Sequence, residues 1–226
     1  MFEFNDVVTP RRGFLGTLAA AAAAGVASLT PLRLEAKPRT VTTKGAGIDP
    51  SFEAWLNRIT GKHKMAFDAP ESNSGMPVVW PRVWLNSNND NYGTKDSENS
   101  AVIILRHSAI PAAMNDALWA KYKFGEMFGV KDGDAPATRN VYAKPLPLPL
   151  PGTGVEQLLA AGALIGVCNV ALTIYSGAAA QKMGTDAAAT KAEWIAGLIP
   201  GVQVVPSGVL AVSRSQEKGC NYCFAG

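Results

Sequence analysis

The sequence predicts a three-layer α/β/α domain built on a mostly parallel sheet, and three of its features carry that expectation. Segments of strand character alternate with segments of helical period from about residue 50 to the end. Two strand segments, "SAVIILRHS" (100–108) and "ALIGVC" (163–168), hold unbroken apolar stretches, as strands covered on both faces require. A chain of 226 residues, 47% of them apolar, is long enough to bury a core without covalent staples.

The first segment stands outside that domain. Residues 1–36 combine a polar start, the pair Arg11-Arg12 and an Ala-rich apolar run from Gly13 to about Leu32. This is the n-region and h-region of an export signal, too short and too mild for a membrane span. "RRGFLG", with Phe14 and Leu15 behind the arginines, resembles the bacterial twin-arginine signal and implies a periplasmic or otherwise exported protein. An ordinary secretory signal or an unstructured tail is the alternative. Cleavage fits after Ser28 or after Ala36, and either keeps the domain intact. Residues 37–60 form a Gly/Thr-rich linker and an amphipathic helix, and the α/β domain occupies 61–226.

Asp49-Pro50 pairs an N-cap with proline at the first helical position. Phe52, Trp55, Leu56 and Ile59 follow at i, i+3, i+4 and i+7, so a helix is expected over 50–60, stopped by Gly61. "HKMAFDA" (63–69) is the first strand. A short helix beginning near Pro81 and an Asn/Asp/Gly loop come next, then the strand at 100–108. Residues 111–129 read as one helix. After a Gly/Asp loop, "NVYAKPLPLPLPG" is extended, with "PLPLPLP" (145–151) as a stiff connector. A helix over 153–161 leads into the strand at 163–168. Two helices follow it, then "VQVVPSG" (202–208) as a fourth strand. Ser207 caps the last helix, Gly219 stops it, and "NYCFA" (221–225) is a fifth strand.

Charge narrows the function classes. The net charge of +3 comes from 21 basic and 18 acidic residues spread along the chain, which argues against nucleic acid and against an anionic surface as partner. The uncharged run around 158–180 is long enough for a membrane span. Gly162, Gly166, Asn169 and Ser176 break it, and a span would cut the last two strands from their sheet, so helix, strand and helix is the expected reading. Membrane contact is then confined to export.

Ligands of open parallel sheets bind at the carboxyl ends of the strands. Asp68, His107, Cys168 and the pair Ser207-Gly208 each close a predicted strand, so all fall on that edge, whereas His63 precedes its strand and belongs to the other. Cys168 stands where a strand gives way to a helix. The helix dipole and free backbone N–H groups there favour a thiolate, against the plainer role of a small buried hydrophobe. His107 is a candidate for proton transfer or for shaping the pocket. These side chains lack the spacing of a metal site.

Cys220 and Cys223 have the C-x-x-C spacing of a redox motif, but no helix begins at the first cysteine. In an extended segment, i and i+3 stand about 10 Å apart on opposite faces, too far for a disulfide. Pairing of either with Cys168 stays open.

"SAVIILRHSAI", "GALIGVCNVAL" and "LIPGVQVVPSGVLAVSRSQEKGCNY" occur in this order and together resemble the DsrE/DsrF-like family, in particular its exported branch. The likeness covers roughly residues 61–226. It implies a flavodoxin-like, five-stranded sheet, homo-oligomeric assembly and no cofactor. It also implies that a cysteine at Cys168 carries sulfur as a persulfide, with His107 and Asn169 shaping its pocket. The expected function is sulfur carriage or thiol redox chemistry through Cys168, with a sulfur compound or a donor or acceptor protein as partner. The alternative is a non-catalytic oligomeric module that binds a ligand or partner on the same sheet edge.

Overall fold

The computed structural model describes residues 49–226; Arg11, Arg12, both cleavage positions and the linker at 37–48 lie outside the described residues. Helix α1 (Pro50–Leu56) opens the described chain, capped by Asp49, whose carboxylate accepts from the Ser51 and Phe52 amides. Strands β1 (Lys64–Ala69) and β2 (Ser100–Leu105) flank helix α2 (Met76–Tyr92). A 3-10 helix (His107–Ala113) follows β2, then α3 (Asp116–Tyr122), α4 (Phe124–Phe128) and a hairpin of β3 (Lys131–Asp132) and β4 (Ala135–Pro136). Helix α5 (Val155–Ala160), β5 (Leu164–Cys168), α6 (Asn169–Met183) and α7 (Ala187–Ala196) come next. Strand β6 (Gln203–Val205), α8 (Gly208–Glu217) and β7 (Asn221–Phe224) complete the domain.

The main sheet has the order β6-β5-β2-β1-β7, and every pair in it is parallel. With helices on both faces this is the expected three-layer α/β/α, flavodoxin-like architecture. Strand β2 lies at the centre with all six residues buried, which explains its unbroken apolar character. One face of the sheet carries the larger core, including α2, α3, α6 and α7, with Trp119 and Trp194 wholly buried in an aromatic cluster around Phe124. The other face carries α1 and α8 over Ala66, Val102, Ile104, Leu164 and Val205. Gly166, in the middle of β5, lets Trp55 of α1 lie on the sheet: a Cβ there would stand 3.3 Å from the indole and 2.9 Å from Val205.

The run at 158–180 is indeed helix, strand and helix, and among the described residues no helix is long and apolar enough to cross a membrane.

Several local expectations are corrected. The α-helix at 50–60 ends at Leu56 and continues as turns. The short helix near Pro81 is a 17-residue helix that takes in the supposed Asn/Asp loop. Ser87, Asn88 and Asn91 each donate to a carbonyl one turn back, and Arg82 and Asn89 bind Asp96, so polar side chains that favour loops are held in helical register. The single helix at 111–129 is three pieces. Pro111 sits in the 3-10 turn, Asn115 caps α3, and Lys123 at φ 51 separates α3 from α4. The loop after it holds the β3–β4 hairpin, turned by Gly133-Asp134 with Gly133 at φ 66, a pair that reads as a hairpin turn. The connector before α5 runs as turns and bends rather than extended, anchored by buried Asn140, which donates to the Ala112 and Met114 carbonyls.

Candidate functional site

Strand β5 leads into α6 on one face of the sheet, while neighbouring β6 leads into α8 on the other. The chain therefore diverges above the carboxyl ends of these two strands, the topological switch point where parallel sheets bind ligands. A pocket of about 500 Å³ opens there. Val170, Ile174 and Tyr175 of α6 form one wall and Ser207, Gly208 and Val209 the other, with Arg106 and His107 from the end of β2 and Cys168 from the end of β5.

Cys168 is only 6% exposed. It is the N-cap of α6, and its Sγ accepts the Ala171 amide at 3.4 Å. A 15-residue helix thus points its amino end at this sulfur.

Arg106 is the residue the sequence reading passed over. Its Nε and Nη2 donate to the two carboxylate oxygens of Asp68 at 2.7 and 3.0 Å, and the Tyr222 hydroxyl donates to the same carboxylate at 3.0 Å. Asp68 is 5% exposed and spends its oxygens on this pair, so it orients Arg106 rather than facing the pocket itself. The hydrogen bonds to Asp68 raise the Arg106 pKa above its ordinary value, and the charges of Tyr222 and Cys168 add smaller attractions in the same direction. Gly208 completes the clamp, because a Cβ at this position would stand 2.6 Å from the Arg106 Cβ and 2.9 Å from its Cδ. The apolar pattern runs the expected strand to residue 108 and puts His107 at its end; the strand closes at Leu105, which makes Arg106 the first residue beyond it.

His107 has a left-handed backbone, φ 47, unusual for a residue with a Cβ. Its exposed ring meets Tyr175 edge-on at 5.9 Å, and burial raises the Tyr175 pKa. Ser207 spends its hydroxyl on capping α8, accepting from the Leu210 amide at 3.2 Å. Of the sequence candidates, His107, Cys168, Ser207 and Gly208 line one pocket and Asp68 joins it through Arg106. Asn169 opens α6 without lining the pocket, and His63 lies at the amino end of β1, the opposite edge.

Cys220 and Cys223 are elsewhere. Cys220 packs in the core under α1 and α8, Cys223 against the core on the other face, and all three cysteines are free. Among the described residues no group of three or more His, Cys, Asp or Glu side chains converges as a metal site. Burial pushes the Cys220 thiol up to about 11, partly offset by Lys64, and burial also raises Cys223. Folded protein treated with iodoacetamide near pH 8 should leave Cys220 unmodified, as peptide mapping would read. Because the folded value lies above that of an unfolded thiol, about 8.5, the unfolded chain loses this proton first. The contribution of Cys220 to stability is complete below that pH and is lost as pH rises toward 11. Cys220→Ala should flatten that alkaline loss in urea titrations.

Fold and pocket together define the class: a parallel three-layer α/β protein with a recessed, amide-bonded cysteine and a clamped arginine at its switch point. In comparisons with known proteins, the chain matches no family model, no curated protein and no solved structure.

Proposed function

We propose that the protein is an exported DsrE-like sulfur carrier in which Cys168 takes up a sulfane sulfur as a persulfide. What supports this reading is the surroundings of Cys168: a pocket floor, an amide donor on its sulfur, a helix amino end beneath it and the Arg106 guanidinium in the same wall. With thiosulfate as donor, the Cys168 thiolate attacks the outer sulfur. The new Sγ–S bond forms as the old S–S bond breaks, and sulfite leaves with the electron pair. The persulfide carries the same single negative charge as the thiolate it replaces, and Arg106 and the helix end stabilise both. His107, exposed at the rim, takes the thiol proton before attack. An acceptor thiolate then removes the outer sulfur and restores Cys168.

Intact-mass spectrometry of the folded protein after thiosulfate or polysulfide tests the reading. The chain should gain the mass of one sulfur atom per persulfide, reversed by dithiothreitol, and Cys168→Ser should gain none. A Cys168 that takes up no sulfur and resists alkylation in the folded protein overturns it. For export, changing Arg11 and Arg12 to lysines should leave the protein in the cytoplasm of a bacterial host; unchanged export removes that part of the proposal.

A second reading, a non-catalytic module that binds a ligand or a second copy, is favoured by one observation. Val170, Ile174 and Val209 around the pocket are 49%, 62% and 67% exposed, an apolar rim that a bound partner would cover.

A further inference from the structure

The opposite edge of the sheet carries a second cleft, larger than the Cys168 pocket at about 830 Å³. It is built by the entry to β1, the outer face of α2 and the turn from α8 into β7. Asn88 forms part of its wall and is only 7% exposed. Its Nδ2 donates to the Trp84 carbonyl at 2.8 Å, and because a carbonyl only accepts, the amide orientation is fixed. The Asn88 Oδ1 accepts from no donor among the described residues and is open to solvent in the cleft. Asn91, one turn on and exposed, repeats the arrangement: its Nδ2 donates to the Ser87 carbonyl at 2.8 Å and its Oδ1 accepts from no donor among the described residues. The cleft wall therefore presents two solvent-facing acceptors that a ligand's donors can reach.

Two further features narrow the ligand. Tyr92 is 70% exposed, and its ring is backed by His63 at 4.9 Å between centroids, so one aromatic face is open to the cleft. The lining contains no Asp or Glu. Lys62 is neutralised by Glu98 at 2.7 Å, whereas Lys64 donates only to the Lys218 carbonyl and meets no carboxylate among the described residues. An inorganic anion would satisfy Lys64 but offers the two amide oxygens no donors. An apolar ligand would displace solvent from both oxygens and return no donor. A ring that is apolar on one face, rich in hydroxyl donors at its edge and acidic at one position meets all three demands.

We propose that this cleft binds an acidic saccharide, its ring stacked on Tyr92, its hydroxyls donating to Asn88 and Asn91, and its acid group facing Lys64. The site is separate from the Cys168 pocket and does not rest on sulfur chemistry.

Calorimetry on the full chain with trigalacturonate, maltotriose, adenosine monophosphate and inorganic phosphate tests it. Trigalacturonate should bind at least about fivefold more tightly than maltotriose in low salt, with the preference removed by Lys64→Gln. Tyr92→Ala, at an exposed helix end, should weaken binding by about fivefold, and Asn91→Ala by about threefold. Both substitutions are at exposed positions, and circular dichroism reports that the fold is retained. No heat from trigalacturonate at millimolar concentration overturns the proposal. So does binding indifferent to Tyr92→Ala, or binding of the nucleotide or phosphate alone.

Discussion

Replacing Arg106 with glutamine should slow the reaction of Cys168 with iodoacetate about tenfold, while its reaction with neutral iodoacetamide changes by about twofold or less. Both reagents modify the same sulfur through the same pocket, so a loss of packing would slow them together. Loss of a guanidinium that attracts an anionic reagent slows the charged one further, beyond the small loss of thiolate that both reagents share. The difference should shrink as salt is raised, since Arg106 is partly exposed and its field is screened. Arg106→Lys should keep part of the preference, because it preserves charge but loses the two-pronged grip on Asp68. The rate ratio, followed by mass spectrometry over time, is the measurement. Equal slowing of both reagents would assign Arg106 a supporting role and leave the helix end as the main attraction for anions. The same clamp contributes to stability. Asp68→Ala leaves a half-buried guanidinium unpaired and should lower the unfolding free energy by about 2–4 kcal/mol.

Gly166→Val should be the most damaging conservative change in the sheet, at about 3 kcal/mol. A first carbon at this site already reaches 2.9 Å from Val205 and 3.3 Å from the Trp55 ring, and valine adds two methyl groups. Trp55 is 3% exposed and packs α1 on the sheet at Gly166, so the helix has to lift for the side chain to fit. The urea midpoint should fall with an unchanged slope, and tryptophan emission should shift to the red as Trp55 meets water. Combining Gly166→Val with Val205→Ala removes the nearest obstacle and should restore part of the loss. Stability equal to the parent would mean that α1 does not pack on β5 in solution.

How much of this was legible differs by element. The five strands of the main sheet are readable because helical segments separate them, and Val102–Leu105 and Leu164–Val167 are buried on both faces as their apolar patterns demand. The caps at Asp49 and Ser207 are readable because their side-chain oxygens bind the amides two or three residues on. Helix α2 is not readable. Its Asn-rich second half favours a loop by composition, and it is held helical in part by Arg82 and Asn89 gripping Asp96, which lies outside the helix. The break between α3 and α4 is equally hidden, since it rests on Lys123 adopting a positive φ so that Phe124 can enter the aromatic core.

The candidate site divides in the same way. By itself the sequence determined that Asp68, His107, Cys168 and Ser207 close parallel strands and so share one edge, because strand direction follows from the strand–helix alternation and needs no long-range contact to infer. It determined equally that Cys168 stands at a helix start. Only the tertiary structure decided that α6 and α8 leave on opposite faces, opening the pocket between β5 and β6, because strand order is set by how the crossing helices pack. Only the tertiary structure paired Arg106 with Asp68, 38 residues apart, and set Gly208 against the arginine stem. Such pairings depend on distances between chain segments that sequence spacing does not encode, and they separate a cysteine at a strand end from a cysteine in a charged pocket.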